Sequence, residues 1–140
     1  MLFGRRKRTI TRLLLVEDEP LVAFDSEHFL SEAGFEIVKT VDRVADAVAA
    51  IADGRSIDLV LVDLTLADGS GIDVARAAFA RAIPVLFVTG QWPGGAESFA
   101  AGCLSKPYQP RDLIGAIEAI EMTKDGKTPK RLPSGLKLFA

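Results

Sequence analysis

The chain has 140 residues, 49% of them hydrophobic and 26% charged, with a net charge of −2. That is the composition of an ordinary globular domain with room for one core, and its slightly acidic balance argues against nucleic acid as a general partner. The single cysteine, Cys103, excludes an internal disulfide, and no apolar run approaches the roughly 18 residues a membrane span needs.

The first residues hold a basic cluster, Arg5 to Arg8, which reads as a solvated tail. With no apolar segment before Ile10, the expectation is a cytoplasmic chain with no membrane contact. Leu13 to Val16 form a first apolar strand that ends on Glu17, Asp18 and Glu19. Pro20 opens a helix with a stripe of Leu21, Phe24, Phe29 and Leu30, and Gly34 stops it. "FEIVKT" reads as a second strand, and the Ala-rich stretch from Asp42 to Gly54 as a second helix. "IDLVLVD" is a third strand, ending on Asp63, and Gly71 to Arg81 a third helix. "IPVLFVTG" is the fourth strand, since proline is tolerated at a strand's first residue. A loop with Gly90, Gly94 and Gly95 leads to a short helix near Glu97 to Ala101. "CLSKP" is a short fifth strand, and Arg111 to Met122 the last helix. From Thr123 the sequence loses periodicity, leaving order only at Leu136, Leu138 and Phe139.

Five fully apolar strands alternating with five helices predict an α/β fold with a doubly wound parallel sheet, most simply the flavodoxin-like order 2-1-3-4-5. The boundaries expected are a tail at 1–11, the domain at 12–122 and a C-terminal extension at 123–140.

In such a sheet the chemistry gathers at the carboxyl ends of the strands. Strand one delivers Glu17, Asp18 and Glu19, strand three Asp63, strand four Thr89 and strand five Lys106. Clustered carboxylates repel unless a cation sits among them, and a purely oxygen donor set suits Mg2+ rather than zinc. A carboxylate beside such an ion can act as a nucleophile towards phosphorus, with Thr89 and Lys106 placed to bind the added phosphoryl oxygens.

The motifs "LLLVEDEP", "DLVLVDLTLADGSGID", "VLFVTG" and "LSKPY", in this order and spacing, resemble the receiver domain of bacterial two-component response regulators. The stand-alone type with a Thr-Gly-aromatic loop after strand four is the nearest in pattern. The resemblance implies that Asp63 accepts a phosphoryl group from a histidine kinase or histidine phosphotransfer protein. It implies Mg2+ held by Asp18, by Glu17 through water, by Asp63 and by the backbone carbonyl of Thr65. Thr89 would be the switch hydroxyl and Lys106 its cationic partner, with a cis Lys106–Pro107 bond. Output would be contact with a downstream protein, or removal of phosphoryl groups from a relay, by a monomer or weak dimer. The contact surface expected is that of helix four, strand five and helix five, with Tyr108 at its edge.

Several positions depart from the family pattern. Cys103 stands where an aromatic usually turns inward on activation, and Ala67 replaces a proline after Asp63. Trp92 is a candidate for partner docking or for the missing moving ring. Thr65 and Gln91 occupy positions that tune phosphoryl loss. His28, the only histidine, reads as an exposed helix residue rather than a phosphodonor.

Three other readings compete. A haloacid-dehalogenase-like phosphatase needs an acid where Thr65 stands. A nucleotide- or flavin-binding domain needs a Gly-rich loop where "EDEP" stands. A receiver-like adaptor working without phosphorylation remains the alternative.

Overall fold

The computed structural model describes residues 8–139. The elements run β1 (Arg12–Val16), α1 (Pro20–Glu32), β2 (Glu36–Val41), α2 (Val44–Ala52) and β3 (Leu59–Asp63). A small antiparallel hairpin follows, β4 (Thr65–Leu66) with β5 (Gly69–Ser70), then α3 (Gly71–Ala80) and β6 (Val85–Thr89). The chain ends with β7 (Gly102–Ser105), α4 (Pro110–Lys124) and β8 (Leu136–Leu138). The main sheet has the order β2-β1-β3-β6-β7-β8. Its first five strands are parallel, the flavodoxin-like arrangement expected from the sequence.

The apolar runs make this sheet because each strand sends alternate side chains to opposite faces, and both faces are covered. Leu13, Leu15, Leu59, Leu61, Leu86 and Val88 pack under α1 and α4. Leu14, Val16, Val60, Val62, Val85 and Phe87 pack under α2 and α3. Pro20 sits in the first turn of α1, and Gly34 closes that helix with a φ of +102°, which a side chain would strain. The Ser70 hydroxyl caps α3 by accepting from the Ile72 amide (3.1 Å).

Four differences from expectation stand out. The helix expected near residue 97 is a single 3-10 turn, Glu97–Phe99, so the fold has four α-helices among its described residues. Glu97 is spent on its own loop: its carboxylate accepts from the Gly95 amide (2.8 Å) and from the Trp92 indole (3.0 Å). Second, the sheet gains an antiparallel sixth strand, β8, paired with β7. Third, the predicted α1 stripe splits, with Leu30 in the core but Leu21 and Phe24 exposed.

Fourth, Arg8 is not a solvated tail residue. It donates to the Ala33 carbonyl (2.6 Å) and lies 4.2 Å over the Phe35 ring. Arg5 to Lys7 lie outside the described residues.

Two carboxylates, buried Glu121 and half-buried Asp58, anchor the start of β1. Glu121 on α4, 2% exposed, accepts from the amide and hydroxyl of Thr9 and the amide of Ile10. Asp58 accepts from the Thr11 amide (2.9 Å), the Thr11 hydroxyl (3.2 Å) and the Arg12 amide (2.9 Å). Burial raises the pKa of Asp58, but these donors outweigh it and hold the group below its ordinary value of 3.8. Its stabilising contribution is therefore complete above that ordinary value and is lost as pH falls through the lower folded value. Asp58→Ala should cost about 1–3 kcal/mol in urea unfolding at neutral pH, and the gap to the wild type should close in acid.

Candidate functional site

The carboxyl ends of β1, β3, β6 and β7 form one lip of the sheet, and the sequence places its acids there. Asp63 is the last residue of β3 and faces Val88 of β6 in register. The chain turns sharply after it, since the Gly71 amide donates to the Leu64 carbonyl (2.7 Å) and α3 starts at once. Gly71 must be glycine here: a Cβ would lie 2.4 Å from the carbonyl oxygen of Asp63.

Glu17, Asp18 and Asp63 each bring a carboxylate oxygen within 4.8 Å of the others. Lys106, just beyond β7, reaches into the cluster, its Nζ 3.1 Å from Asp63 Oδ2 and 3.4 Å from Glu17 Oε1. Glu17 is buried and Asp63 nearly so, with 14% of its side chain exposed. Burial raises the Glu17 pKa above its ordinary value, against the Glu19 amide and the Lys106 charge. For Lys106, burial pulls the pKa down, but bonds to Asp63 and Glu17 outweigh it and hold it above its ordinary value. The lysine is therefore a fixed cation at the carboxylates.

The donor set fits magnesium. Three carboxylates with no thiolate or imidazole among them are hard oxygen ligands, and the part-exposed Asp18 leaves room for the water such an ion keeps.

The remaining predicted residues fall around this centre in different ways. Thr65 meets Asp63 through its amide, which donates to Oδ1 (3.2 Å). Thr89 is buried at the end of β6, its hydroxyl donating to the Gln91 carbonyl (3.3 Å) and accepting from the Gln91 amide (3.4 Å). Trp92 is half-buried against Phe87, ring centroids 5.1 Å apart. Cys103 is buried, and burial raises its thiol pKa. Tyr108 fills the seam between α1 and α4 beside Ser26; burial, a larger influence than the Ser26 hydroxyl, leaves its pKa raised. The Lys106–Pro107 peptide is cis. His28 is exposed on α1 and pairs with Glu32 (3.2 Å).

Sequence reasoning missed Asp68, whose carboxylate in the β4–β5 turn accepts from the Val44 (2.6 Å) and Ala45 (3.1 Å) amides at the start of α2. The signal was present as an acid in a Gly-containing turn, but its target lies 24 residues away. Phe139 was also missed as a partner of Trp92, at 5.3 Å.

The profile of the response regulator receiver domain matches residues 13–118. The chain belongs to the response regulator receiver family. Its relatives include the sensory transduction protein RegX3 of Mycobacterium tuberculosis (strain ATCC 25618 / H37Rv), 36% identical over 135 residues, covering 91% of this chain and 57% of that one. The phyllosphere-induced regulator PhyR of Methylorubrum extorquens is 30% identical over 112 residues, covering 76% and 42%. Among solved structures, a response regulator receiver protein from Sinorhizobium medicae WSM419 superposes with a TM-score of 0.69 at 26% identity, covering 80% of this chain and 94% of that one. The chain spans about half the length of the curated relatives it matches. Receiver domains belong to two-component signal transduction and are signalling domains rather than enzymes of the ordinary kind, and they bind Mg2+ at an acidic pocket. Among the described residues no helix is long and apolar enough to cross a membrane.

Proposed function

We propose that this chain accepts a phosphoryl group on Asp63 from the phosphohistidine of a histidine kinase or phosphotransfer protein, with Mg2+ bound. The observation that carries this reading is the Asp63 carboxylate at a strand end, shared by two further acids and one ammonium. An Asp63 oxygen attacks the phosphorus, the bond from phosphorus to the donor imidazole nitrogen breaks, and the electron pair leaves on that nitrogen. The product is an acyl phosphate. Glu17, Asp18, Asp63 and the Thr65 carbonyl would hold the ion, which when bound neutralises charge on the transferring oxygens. Lys106 supplies a second, permanent cation at the same oxygens, and the Thr89 hydroxyl turns from Gln91 to hydrogen-bond them.

The donor protein docks beside the site. Leu21 and Phe24 are exposed on α1, and next to them a groove of about 780 Å3 is lined by Val22, Phe29, Lys106, Pro107 and Tyr108. Apolar side chains rimming the acids suit a helical partner that presents its histidine to Asp63. The output is contact with a downstream protein or drainage of phosphoryl groups from a relay.

Isothermal titration calorimetry with beryllofluoride, a phosphoryl analogue, tests this. Binding should require Mg2+ and be lost in Asp63→Asn; equal binding by that variant would refute the assignment. Asp18→Asn should weaken Mg2+ affinity by at least the roughly 10–100-fold typical of losing a residue that only orients a metal's ligands, read by the same method.

A further inference from the structure

The C-terminal residues lie across the surface where a receiver of this fold would be expected to meet its output partner. β8 runs antiparallel along β7, with Gly102, Cys103 and Leu104 opposite Leu138, Lys137 and Leu136. The Ser105 amide donates to the Gly135 carbonyl (3.0 Å) and the Phe139 amide to the Ala101 carbonyl (2.9 Å). The receiving surface is shaped for this segment at two points. A Cβ on Gly102 would stand 2.8 Å from the Lys137 carbonyl oxygen, and one on Gly115 of α4 would stand 2.9 Å from Pro133 Cγ. Leu136 and Leu138 join the α4 side of the core, while Phe139 crosses to the other face and meets Trp92.

That contact links the segment to the acid site. Thr89 holds the Gln91 main chain through both hydrogen bonds of its hydroxyl, and the next residue is Trp92. The Trp92 ring is held by Phe87 at 5.1 Å, Phe139 at 5.3 Å and the Glu97 carboxylate at 3.0 Å. If Thr89 turns towards a phosphoryl group it drops Gln91, and Gly90, which has no Cβ to restrict its backbone, lets the loop follow. With a small thiol at Cys103, the rings in this cluster are Phe87, Trp92, Phe99 and Phe139. A three-residue edge strand belongs to the weakly held end of the local stability scale.

We infer that residues 133–139 are a latch over the β7 edge, held by Trp92 on Phe139 and released by phosphorylation of Asp63. The inference rests on the phosphoacceptor reading above. Release uncovers a row of backbone donors and acceptors between apolar pockets. The partner that fits is an extended segment with apolar residues at alternate positions, of the kind the chain's own Leu-Lys-Leu-Phe supplies.

Amide hydrogen exchange on the full chain tests it. With Mg2+ and beryllofluoride, exchange at Phe139 and Ser105 should rise at least tenfold in the wild type and stay unchanged in Asp63→Asn. Trp92→Ala should show the rise without any phosphoryl analogue. Calorimetry on the same samples separates the two claims. Beryllofluoride binding with unchanged protection overturns the latch and leaves the phosphoacceptor. If beryllofluoride fails to bind, the phosphoacceptor reading falls, and unchanged protection in Trp92→Ala overturns the latch as well. A fluorescent peptide copy of residues 133–140 reads the edge directly. Its affinity for the full chain should rise at least tenfold with beryllofluoride, and an unchanged affinity overturns the assignment of that edge.

Discussion

Gly71→Ala is expected to lower stability by about 1–3 kcal/mol and to weaken beryllofluoride binding along with it. The added methyl would sit 2.4 Å from the Asp63 carbonyl oxygen and 3.1 Å from Val62 Cγ2. Neither neighbour can yield easily, because Val62 is buried in the core and the Asp63 carbonyl is backbone. Room can come only by shifting the first turn of α3 or the end of β3, and the second of these carries the phosphoacceptor. Urea unfolding measures the first effect and calorimetry the second. Gly90→Ala is the matched control: its Cβ meets nothing within 4 Å, so stability should be unchanged. Equal stability of both variants would show that α3 can slide without cost.

Lys106→Met is expected to slow phosphoryl acceptance from acetyl phosphate by about a hundredfold, the lower part of the range for losing a group that stabilises transition-state charge. The lower part applies because 27% of the lysine side chain is exposed and water can replace part of its effect. Mg2+ affinity should hold or rise, since a cation that competes for Glu17 and Asp63 has gone. The rate, measured by intact mass, should therefore fall while the affinity, measured by calorimetry, does not. Parallel loss of both would mean that Lys106 only keeps the pocket folded.

The fold was legible because its signals are local. Runs such as Leu59 to Val62 are apolar throughout, which only a sheet covered on both faces explains, and each run stops at an acid, threonine or lysine. Those stops also made the site legible, because parallel strands bring their carboxyl ends to one edge. Most of what escaped depends on contacts distant in sequence. Leu136 to Leu138 is too short to announce a strand. Gly102 and Gly115 look like ordinary glycines until Lys137 and Pro133 lie against them. The stretch after Gly95 reads as a helix start, but the Glu97 carboxylate is taken by Trp92 and Gly95, leaving one 3-10 turn. Glu121 did leave a signal, a carboxylate one residue after Ile120 on the buried stripe of α4, though nothing local pointed to Thr9 and Ile10 as its partners.

The most direct measurement is the intact mass of the wild type and Asp63→Asn after incubation with acetyl phosphate, with and without Mg2+. A single phosphoryl adduct is expected on the wild type with Mg2+ present, and none on the variant or when the ion is chelated. An adduct of equal yield on Asp63→Asn, or none on the wild type under any condition, would contradict the phosphoacceptor reading.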